Sequence, residues 1–576
     1  PVSGVITDCE IPGGPAMKVL RIGLLILILP FGVSCTSTAP VGIAGTASVS
    51  GQVSAAATFQ AARVYAKNLD KNMLYMVYTN KGAYRAINLL PGSYEFWVKK
   101  KGFETTPAKS VQLQVGDAID LDFALSEAQV QAATLVHYSP LFGGFVTADI
   151  PLVPYDELYP AGPGRDIAER TCMVCHGENF LPSKPMDTPA WDAMIGLMMD
   201  PQMSAGPQLI EGNAVGTLTA EERSILAEYL GEHFGVDSER KALRIDVDIP
   251  LDEEALSTAM IIEYFLPEGR GAHDPAIDLD GNVWYSDGVR PTRISKLDPR
   301  TGEFTEYDLP DPNSYPEGLI VDSYGYVIWC EPGGGVIGRM DPKTGKMDRF
   351  AHGVPGGRAH TPVEDENGDI WFSMIIGNRI GKWDRETEEI TVWEVPTPNS
   401  FPYGIVVKDS RVWFAEFFGG KVGMFDEDTK TFTEYPTLVQ PSTIRRVGID
   451  SSGSTLWYGV YNQGKLGKID IRTGEQTEYD LAPRAAPYDV WPDPMDKVWT
   501  TDGVLGGVLI RFDPDTDEMT YYPVPRPTDM PKLDISREGA VWYATRSNPE
   551  VALGVLWPDV NKMTGYGANQ RVKFTR

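Results

Sequence analysis

The sequence predicts a multidomain, mainly β chain: a small β-sandwich, a small α-helical domain and a seven-bladed β-propeller. Three observations point there. Tryptophan recurs as Trp284, Trp329, Trp371, Trp413, Trp457, Trp499 and Trp542, at intervals of 45, 42, 42, 44, 42 and 43. Each period holds four short β-type runs separated by Gly, Asp and Pro turns, the content of one propeller blade. Residues 49–126 alternate apolar and polar in short segments, whereas residues 164–240 carry helical signals.

Composition agrees. A chain of 576 residues exceeds one domain, and its 58 Gly and 45 Pro supply the turns that a β-rich protein needs. The net charge of −28 argues against nucleic acid as a partner and suits a solvated acidic surface.

Residues 1–16 lack an initiator Met and read as an upstream extension. Residues 17–35 read as an export signal: Met17, positive Lys18 and Arg21, the apolar run from Ile22 to Phe31, then small residues. That run is short for a membrane span. Cys35 follows Gly32-Val33-Ser34, which resembles a bacterial lipoprotein processing site with Gly32 where leucine is expected. Lipid attachment at Cys35 and plain cleavage nearby both stay open. Either route exports the chain to the periplasm or cell surface, and that lipid is the one membrane contact expected. Residues 36–48, rich in Ser, Thr, Ala and Gly, read as a tether.

Between 49 and 126 the strand-like segments are Ala62–Ala66, Leu74–Tyr78, Ser93–Val98 and Val111–Val115, the pattern of a small sandwich. The turn Leu90-Pro91-Gly92-Ser93-Tyr94 and the later Gly102-Phe103 resemble the carboxypeptidase regulatory-like domain. That resemblance implies a transthyretin-like sandwich serving as a structural or interaction module. Residues 127–163, with Pro140, Pro151, Pro154, Pro160 and Pro163, read as a linker.

In the helical region, Asp166–Arg170 forms a short helix that leads into Cys172-Met173-Val174-Cys175-His176. This is C-x-x-C-H: two thiols spaced to add to the two vinyl groups of a haem, and an adjacent imidazole to bind its iron. A redox C-x-x-C needs no following His. A zinc site needs two more ligands, and no second C-x-x-C or H-x-x-x-H exists in the chain. One covalent haem c, on Cys172 and Cys175 with His176 on the iron, is therefore expected. Thr219-Ala220-Glu221-Glu222 is a capping box that opens a helix with Ile225, Leu226, Tyr229 and Leu230 on one face, ending near Gly235. A helix before the motif and an amphipathic helix at the end resemble class I cytochrome c domains. Trp191-x-x-Met194-Ile195-x-x-Met198 resembles the surroundings of the ligand Met in one group of small exported cytochrome domains, which implies Met198 as sixth ligand. Met199 and Met203 are the alternatives, and core filling is the competing role for all three. His233 and His137 are weaker rivals. Cys9 falls in the extension, Cys330 stands alone, and no disulfide framework is implied.

Residues 241–262 are a connector with a closing strand, and 263–576 the propeller. An Asp follows each of the first six repeat Trp after twelve to fourteen residues (Asp298, Asp341, Asp384, Asp426, Asp470, Asp513), where it can pin a turn. Glu263-Tyr264-Phe265-Leu266-Pro267 precedes the first Trp and is expected to complete the seventh blade, whose edge would otherwise stay open. Residues 561–576 compete for that position.

Repeat units such as Gly368-Asp369-Ile370-Trp371-Phe372-Ser373 and Val412-Trp413-Phe414-Ala415-Glu416 resemble the blades of streptogramin (virginiamycin B) lyases over about 260–560. The resemblance implies a seven-bladed propeller. In that family the active site uses His and Glu with Mg²⁺, the His lying in Pro-His-[Gly/Ala]-Ile at the start of a blade. No blade here carries it; the matching strings include Pro316-Glu317-Gly318-Leu319, Pro402-Tyr403-Gly404-Ile405 and Arg446-Val447-Gly448-Ile449. Glu416 matches the family's Glu but lacks the imidazole that acid–base elimination needs. His273 and His360 lie one or two residues off and could project into the funnel. Asp287, Glu331, Glu416 and Asp502, just after the repeat Trp, are expected to ring one mouth, either as cation ligands or simply as solvated acids.

The expected function is that of an exported haem protein with electron-transfer activity, whose propeller recognises a redox partner protein or small-molecule substrate. The alternative is a propeller enzyme, lyase-like or a haem-coupled oxidoreductase, with its active site in the funnel.

Overall fold

The computed structural model describes residues 42–128, 134–137, 145–148, 152–173, 181–183, 185–199, 218–239, 241–243, 249–483, 485–503, 507–526, 528, 530–546 and 550–568. The signal region, Cys9 and Cys35 lie outside the described residues. Among the described residues, no helix is long and apolar enough to cross a membrane.

Six four-stranded antiparallel sheets follow one another from Pro275 to Pro523. In each, the repeat Trp sits on the second strand and is 3% exposed or less. Three of these indoles donate to an Asp six residues upstream, Trp284 to Asp278, Trp371 to Asp365 and Trp499 to Asp493, at 2.8–3.1 Å. The six repeat Asp stand between the third and fourth strands, and each carboxylate accepts a backbone N–H two or three residues on, at 2.7–3.0 Å. These are turn pins, as expected of Asp whose side chain can cap its own loop. The third strand approaches the second closely through Gly381, Gly423 and Gly467. A Cβ there would come within 2.1–2.3 Å of Phe372, Phe414 and Tyr458, so a ring lies flat where the glycine leaves room.

Blade seven is built differently. Leu533–Ile535, Val541–Ala544 and Ala552–Trp557 supply three strands, and Met260–Phe265 pairs with the last of them in the register Met260↔Trp557 to Phe265↔Ala552. This N-terminal strand closes the ring, as the Glu263–Pro267 segment led us to expect. At the inner edge, Asp489 accepts from Leu533 N and Asp534 from Ile277 N, both at 2.8 Å, joining blades six, seven and one.

The closing strand has a second partner. Its other edge pairs antiparallel with Met73–Tyr78 of the sandwich, Met260↔Val77 to Tyr264↔Met73. Blade seven and one sheet of the sandwich therefore form a single eight-stranded sheet. One hydrophobic core joins Tyr75, Phe96 and Leu113 of the sandwich to Trp542, Leu553, Trp557 and Tyr566. Tyr75 and Tyr566 share a 2.9 Å hydroxyl contact, and Tyr65 OH donates to Pro525 O at 3.2 Å. The closing strand is buried along its whole length, unlike the outer strand of blade one.

The helical region has its own core around Tyr159, Trp191, Leu226 and Leu230. Helix α1 (Pro163–Thr171) crosses helix α3 (Ala220–His233), and Gly164 permits the contact, since a Cβ would meet Tyr229 at 2.2 Å. Helix α2 (Thr188–Met199) packs on α3, and Arg223 on α3 clasps Asp192 at 2.6 Å. The capping box forms: Thr219 Oγ1 accepts from Glu222 N and Glu222 from Thr219 N.

Glu263 on the closing strand is fully buried and pairs with Arg526 at 2.7 Å. Removing one partner of a buried pair strands the other charge. Arg526→Ala is expected to lower unfolding stability by about 3 kcal/mol, read as a shifted urea midpoint. Glu263→Gln in the same background should restore part of the loss.

Candidate functional site

The strand register defines what lines the propeller funnel. Each repeat Trp pairs with one residue of its blade's innermost strand: Ala276, Leu319, Val363, Val406, Gly448, Trp491 and Asp534. Two residues earlier stand Asp274, Glu317, Thr361, Gly404, Arg446, Asp489 and Lys532. One residue earlier again, nearer the strand starts, stand His273, Pro316, His360, Tyr403, Arg445, Tyr488 and Pro531. The match to Pro-His-x-Ile read from the string alone is one residue out in blades one, four, five and six. The inner strands of blades three to six carry register shifts that spacing does not reveal. Positions counted back from the Trp partner therefore cross a bulge in those blades.

The two histidines instead flank the ring and converge on one carboxylate. His360 Nε2 lies 3.1 Å and His273 Nε2 3.5 Å from Glu317 Oε1. His273 Nδ1 is 2.7 Å from Asp274 Oδ1, and Arg546 Nη1 is 3.2 Å from His273 Nε2. His360 Nδ1 meets Thr361 Oγ1 at 2.7 Å. Across the channel Arg446 reaches both oxygens of Asp274 at 3.3 Å, and Lys532 donates to Pro275 O and Leu319 O.

Burial would push these carboxyls up, and the cations decide where they end. Arg446, then Lys532, hold Asp274 far below the usual carboxylate range despite its burial. Against the upward push of burial, His360 and then His273 draw Glu317 down to about 2. Asp489, with its oxygens on Leu533 N and Val490 N, is raised by burial. Burial lowers Lys532. Asp274 and Arg446 thus pair across the channel, with Glu317 and the two imidazoles on the strand-start side.

Aromatic rings surround that side. Tyr403 and Tyr488 share a 2.7 Å hydroxyl contact, and His360 lies 4.0 Å from Tyr403, centroid to centroid. The Arg445 guanidinium sits 4.3 Å from the Tyr488 centroid, 4.5 Å from Tyr461 and 4.7 Å from Phe417. Tyr461 also lines a cleft of about 970 Å³ between blades five and six and helix α1, facing Met173, Glu169 and Arg170.

The residues expected to hold haem are described in part. Cys172 caps the C-terminal end of α1, half-buried against the helical core, and burial raises its thiol. Cys175 and His176 lie outside the described residues, as does Met203. Met198 and Met199 belong to the last turn of α2, but their side chains are outside the description. His233 ends α3 with its ring edge-on to Tyr229 at 4.5 Å. His137 falls in a strand described by its backbone alone. Cys330 is fully buried, and burial pushes its thiol well up.

The four acids after the repeat Trp correct the sequence reading. Asp287, Glu331, Glu416 and Asp502 are fully buried and form no solvated or cation-binding mouth. Asp287 accepts from Gly271 N and Val289 N, Glu331 from Trp329 Nε1, and Asp502 from Ala486 N, at 2.9–3.0 Å. Asp287 and Asp502 pin blade corners, because a strand end inside a propeller leaves backbone N–H groups that need acceptors. Among the described residues, no group of three or more His, Cys, Asp or Glu is placed to hold a metal. The sequence reading missed Glu317, Asp274, Arg446, Lys532 and Arg445 as a group. Their signal was present as charges at positions where a blade's inner strand is otherwise apolar.

Glu416 titrates in the opposite sense to Glu317. Burial, then the neighbouring Glu434, raises it to about 8. The folded chain keeps a proton there that the unfolded chain releases above its ordinary value near 4.5. Stability is therefore lost as pH rises from that value through the folded one. Glu416→Gln is expected to stabilise the protein at pH 8 by roughly 3 kcal/mol and to change little at pH 4, by thermal melts at both.

The virginiamycin B lyase family model matches residues 256–419, and that of the carboxypeptidase regulatory-like domain matches residues 48–126. Solved structures similar to the propeller include a streptogramin B lyase (26% identity, TM-score 0.48), which covers 52% of this chain and 97% of its own. Virginiamycin B lyase from Staphylococcus aureus is 25% identical, covering 52% and 99% with TM-score 0.48. A catalytically inactive His variant of that enzyme with quinupristin is 24% identical over the same shares, also with TM-score 0.48. No curated protein matches the chain. The chain is a multidomain, mainly β protein that joins a carboxypeptidase regulatory-like domain to a propeller related to the virginiamycin B lyases.

Proposed function

We propose that this is an exported c-type haem protein with electron-transfer activity, in which the propeller funnel recognises the ligand or partner and the helical region holds the haem. The observation that carries the reading is Tyr461. It lines the cleft against Met173, inside C-x-x-C-H, and also stacks on Arg445 at the funnel. A ligand at the funnel and a haem on Cys172 would thus face one another across a single blade corner.

The described residues fit the group. Cys172 ends a helix, with its thiol against an apolar core and 3.5 Å from Thr171 Oγ1. Cys175 would take the second thioether, with His176 and Met198 on the iron, and Met199 or Met203 in reserve. Bound haem c supplies one-electron transfer, and a Met ligand raises its potential. Met198 stands seven residues after the buried Trp191, two turns along the same helix. Helix α1 and α3 hold Cys172 in place through the Gly164–Tyr229 contact.

Catalysis in the funnel is the second reading. It is favoured by His273 and His360 converging on Glu317, two imidazoles within reach of one carboxylate. Streptogramin lyase chemistry is the less favoured form of it: no blade carries Pro-His-[Gly/Ala]-Ile, and Glu416 is fully buried beside Glu434.

One covalent haem per chain is expected by pyridine haemochrome, retained on a denaturing gel and lost in Cys172→Ser. Zero or two haems would sink the reading. Met198→Ala should weaken the long-wavelength sulfur-to-iron band and lower the potential, while Met203→Ala should do neither. With Mg²⁺, the protein should not linearise a streptogramin B depsipeptide above background; turnover lost in His273→Ala would move the function to the funnel.

A further inference from the structure

A cleft of about 970 Å³ lies between helix α1 and the corner of blades five and six. Cavities of this size, between two parts of one chain, are the usual place for a small ligand. The propeller wall carries Pro441, Tyr461, Leu481, Ala482, Ala485 and Ala486. Short side chains leave the space open, and what they offer an occupant is apolar contact.

The hydrogen-bond donors of that wall are already used. Leu481 N donates to Gly464 O, Ala482 N to the Tyr521 hydroxyl, Ala485 N to Ala482 O and Ala486 N to Asp502 Oδ1, at 2.9–3.0 Å. Asn462 and Gln463 each give an amide N–H to Pro441 O, at 3.2 and 3.0 Å. An anion entering the cleft would exchange its water for groups that have partners.

The charges of the cleft have the opposite bias. Asp166 and Glu169 line it from α1, and Asp480 from the outer strand of blade five. Arg170 also lines it, but its guanidinium is held by Glu222. Glu169 accepts from the Tyr155 hydroxyl at 2.7 Å and lies 3.6 Å from Arg165, and Asp480 pairs with Lys465. The Asp166 carboxylate is exposed and has no hydrogen bond or ion pair among the described residues. Tyr155 of the helical region and Tyr461 of blade five bring one ring from each side. Apolar surface, aromatic rings and carboxylates together complement a cation with a flat apolar body.

We propose that this cleft binds a planar aromatic cation, its ring system against Tyr461, Leu481 and Ala482 and its charge facing Asp166 and Glu169. The cleft makes the site, and the carboxylates select the charge. The inference goes beyond the electron-transfer reading and needs no haem. An occupant would meet Met173, one residue from Cys172.

The test is equilibrium dialysis of the full chain, at physiological ionic strength, against proflavine, a three-ring cation, and 2-anthracenesulfonate, a three-ring anion of similar shape. Proflavine should bind saturably and about ten-fold or more tightly than the anion. Asp166→Lys, which removes no bond from the fold, should weaken proflavine about ten-fold. Gln463→Lys, on the exposed rim of blade five, should weaken it about three-fold or more. Gln463→Glu should tighten it instead, which a damaged fold would not do. Glu303→Lys, on the exposed outer strand of blade one, makes the same charge change as Asp166→Lys and should leave binding as it is. No proflavine binding, equal binding of the anion, or equal weakening by Glu303→Lys overturns the proposal. So does a response to only one of Asp166 and Gln463, because an occupant of the cleft touches both walls. A haem count on the same sample reports separately on the electron-transfer reading.

Discussion

Everything in this chain depends on the pairing of one strand, Met260–Phe265, along both of its edges. A ring of sheets cannot close from one end of the chain without leaving a row of unsatisfied N–H and C=O groups. This strand satisfies the last blade through Trp557 to Ala552 and the sandwich through Val77 to Met73. The sandwich is therefore no appended module. Its sheet continues the propeller's, and its core runs into the core of blade seven. The buried Glu263–Arg526 pair and the Tyr543 hydroxyl, 3.3 Å from Glu263, fix the same strand from a third side.

That pairing also governs the helical region. The chain leaves the sandwich after residue 126 and returns at 260, so the two ends of the excursion are pinned to its two sheets, Phe123–Leu125 beside Ala47–Ala55 and Met260–Phe265 beside Met73–Tyr78. Pinned ends restrict where the intervening domain can go, since closing a loop costs entropy only once and the cost grows slowly with length. The helices meet the propeller at the corner of blades five and six, where Tyr461, Asp480 and Leu481 face α1. The covalent order of the chain and the ring closure together bring the C-terminal end of α1, with Met173, to that corner.

Inside the ring, symmetry ends. The outer parts of the blades repeat because they do the same work from blade to blade: an indole in the core of all seven, an aspartate in a turn of six, and a glycine under a ring in five. The inner layer does not repeat, with Asp274, Glu317, Thr361, Gly404, Arg446, Asp489 and Lys532 each different in size or charge from a neighbour. A buried charge survives only when paired or hydrogen-bonded. Such a ring is stable because its charges meet across the channel, Arg446 of blade five with Asp274 of blade one.

Much of this was legible in the string of residues. Periodic Trp, the pinning Asp, the capping box at Thr219, the four sandwich strands and the extra strand before Trp284 are local or periodic signals, and local physics reads them directly. What spacing could not supply was anything that depends on register or on long-range pairing. A bulge in an inner strand moves a side chain by one position without any mark in the sequence, so Glu317 and Arg446 could not be aligned. The acids at Asp287, Glu331, Glu416 and Asp502 look solvated in a polar turn, yet the blade corner buries them. His273 and His360 are 87 residues apart and meet on Glu317 only because three blades turn their first strands toward one axis. The sequence by itself determined which blades and helices form; the tertiary structure decided which charges meet, because that is set by distances through the channel rather than along the chain.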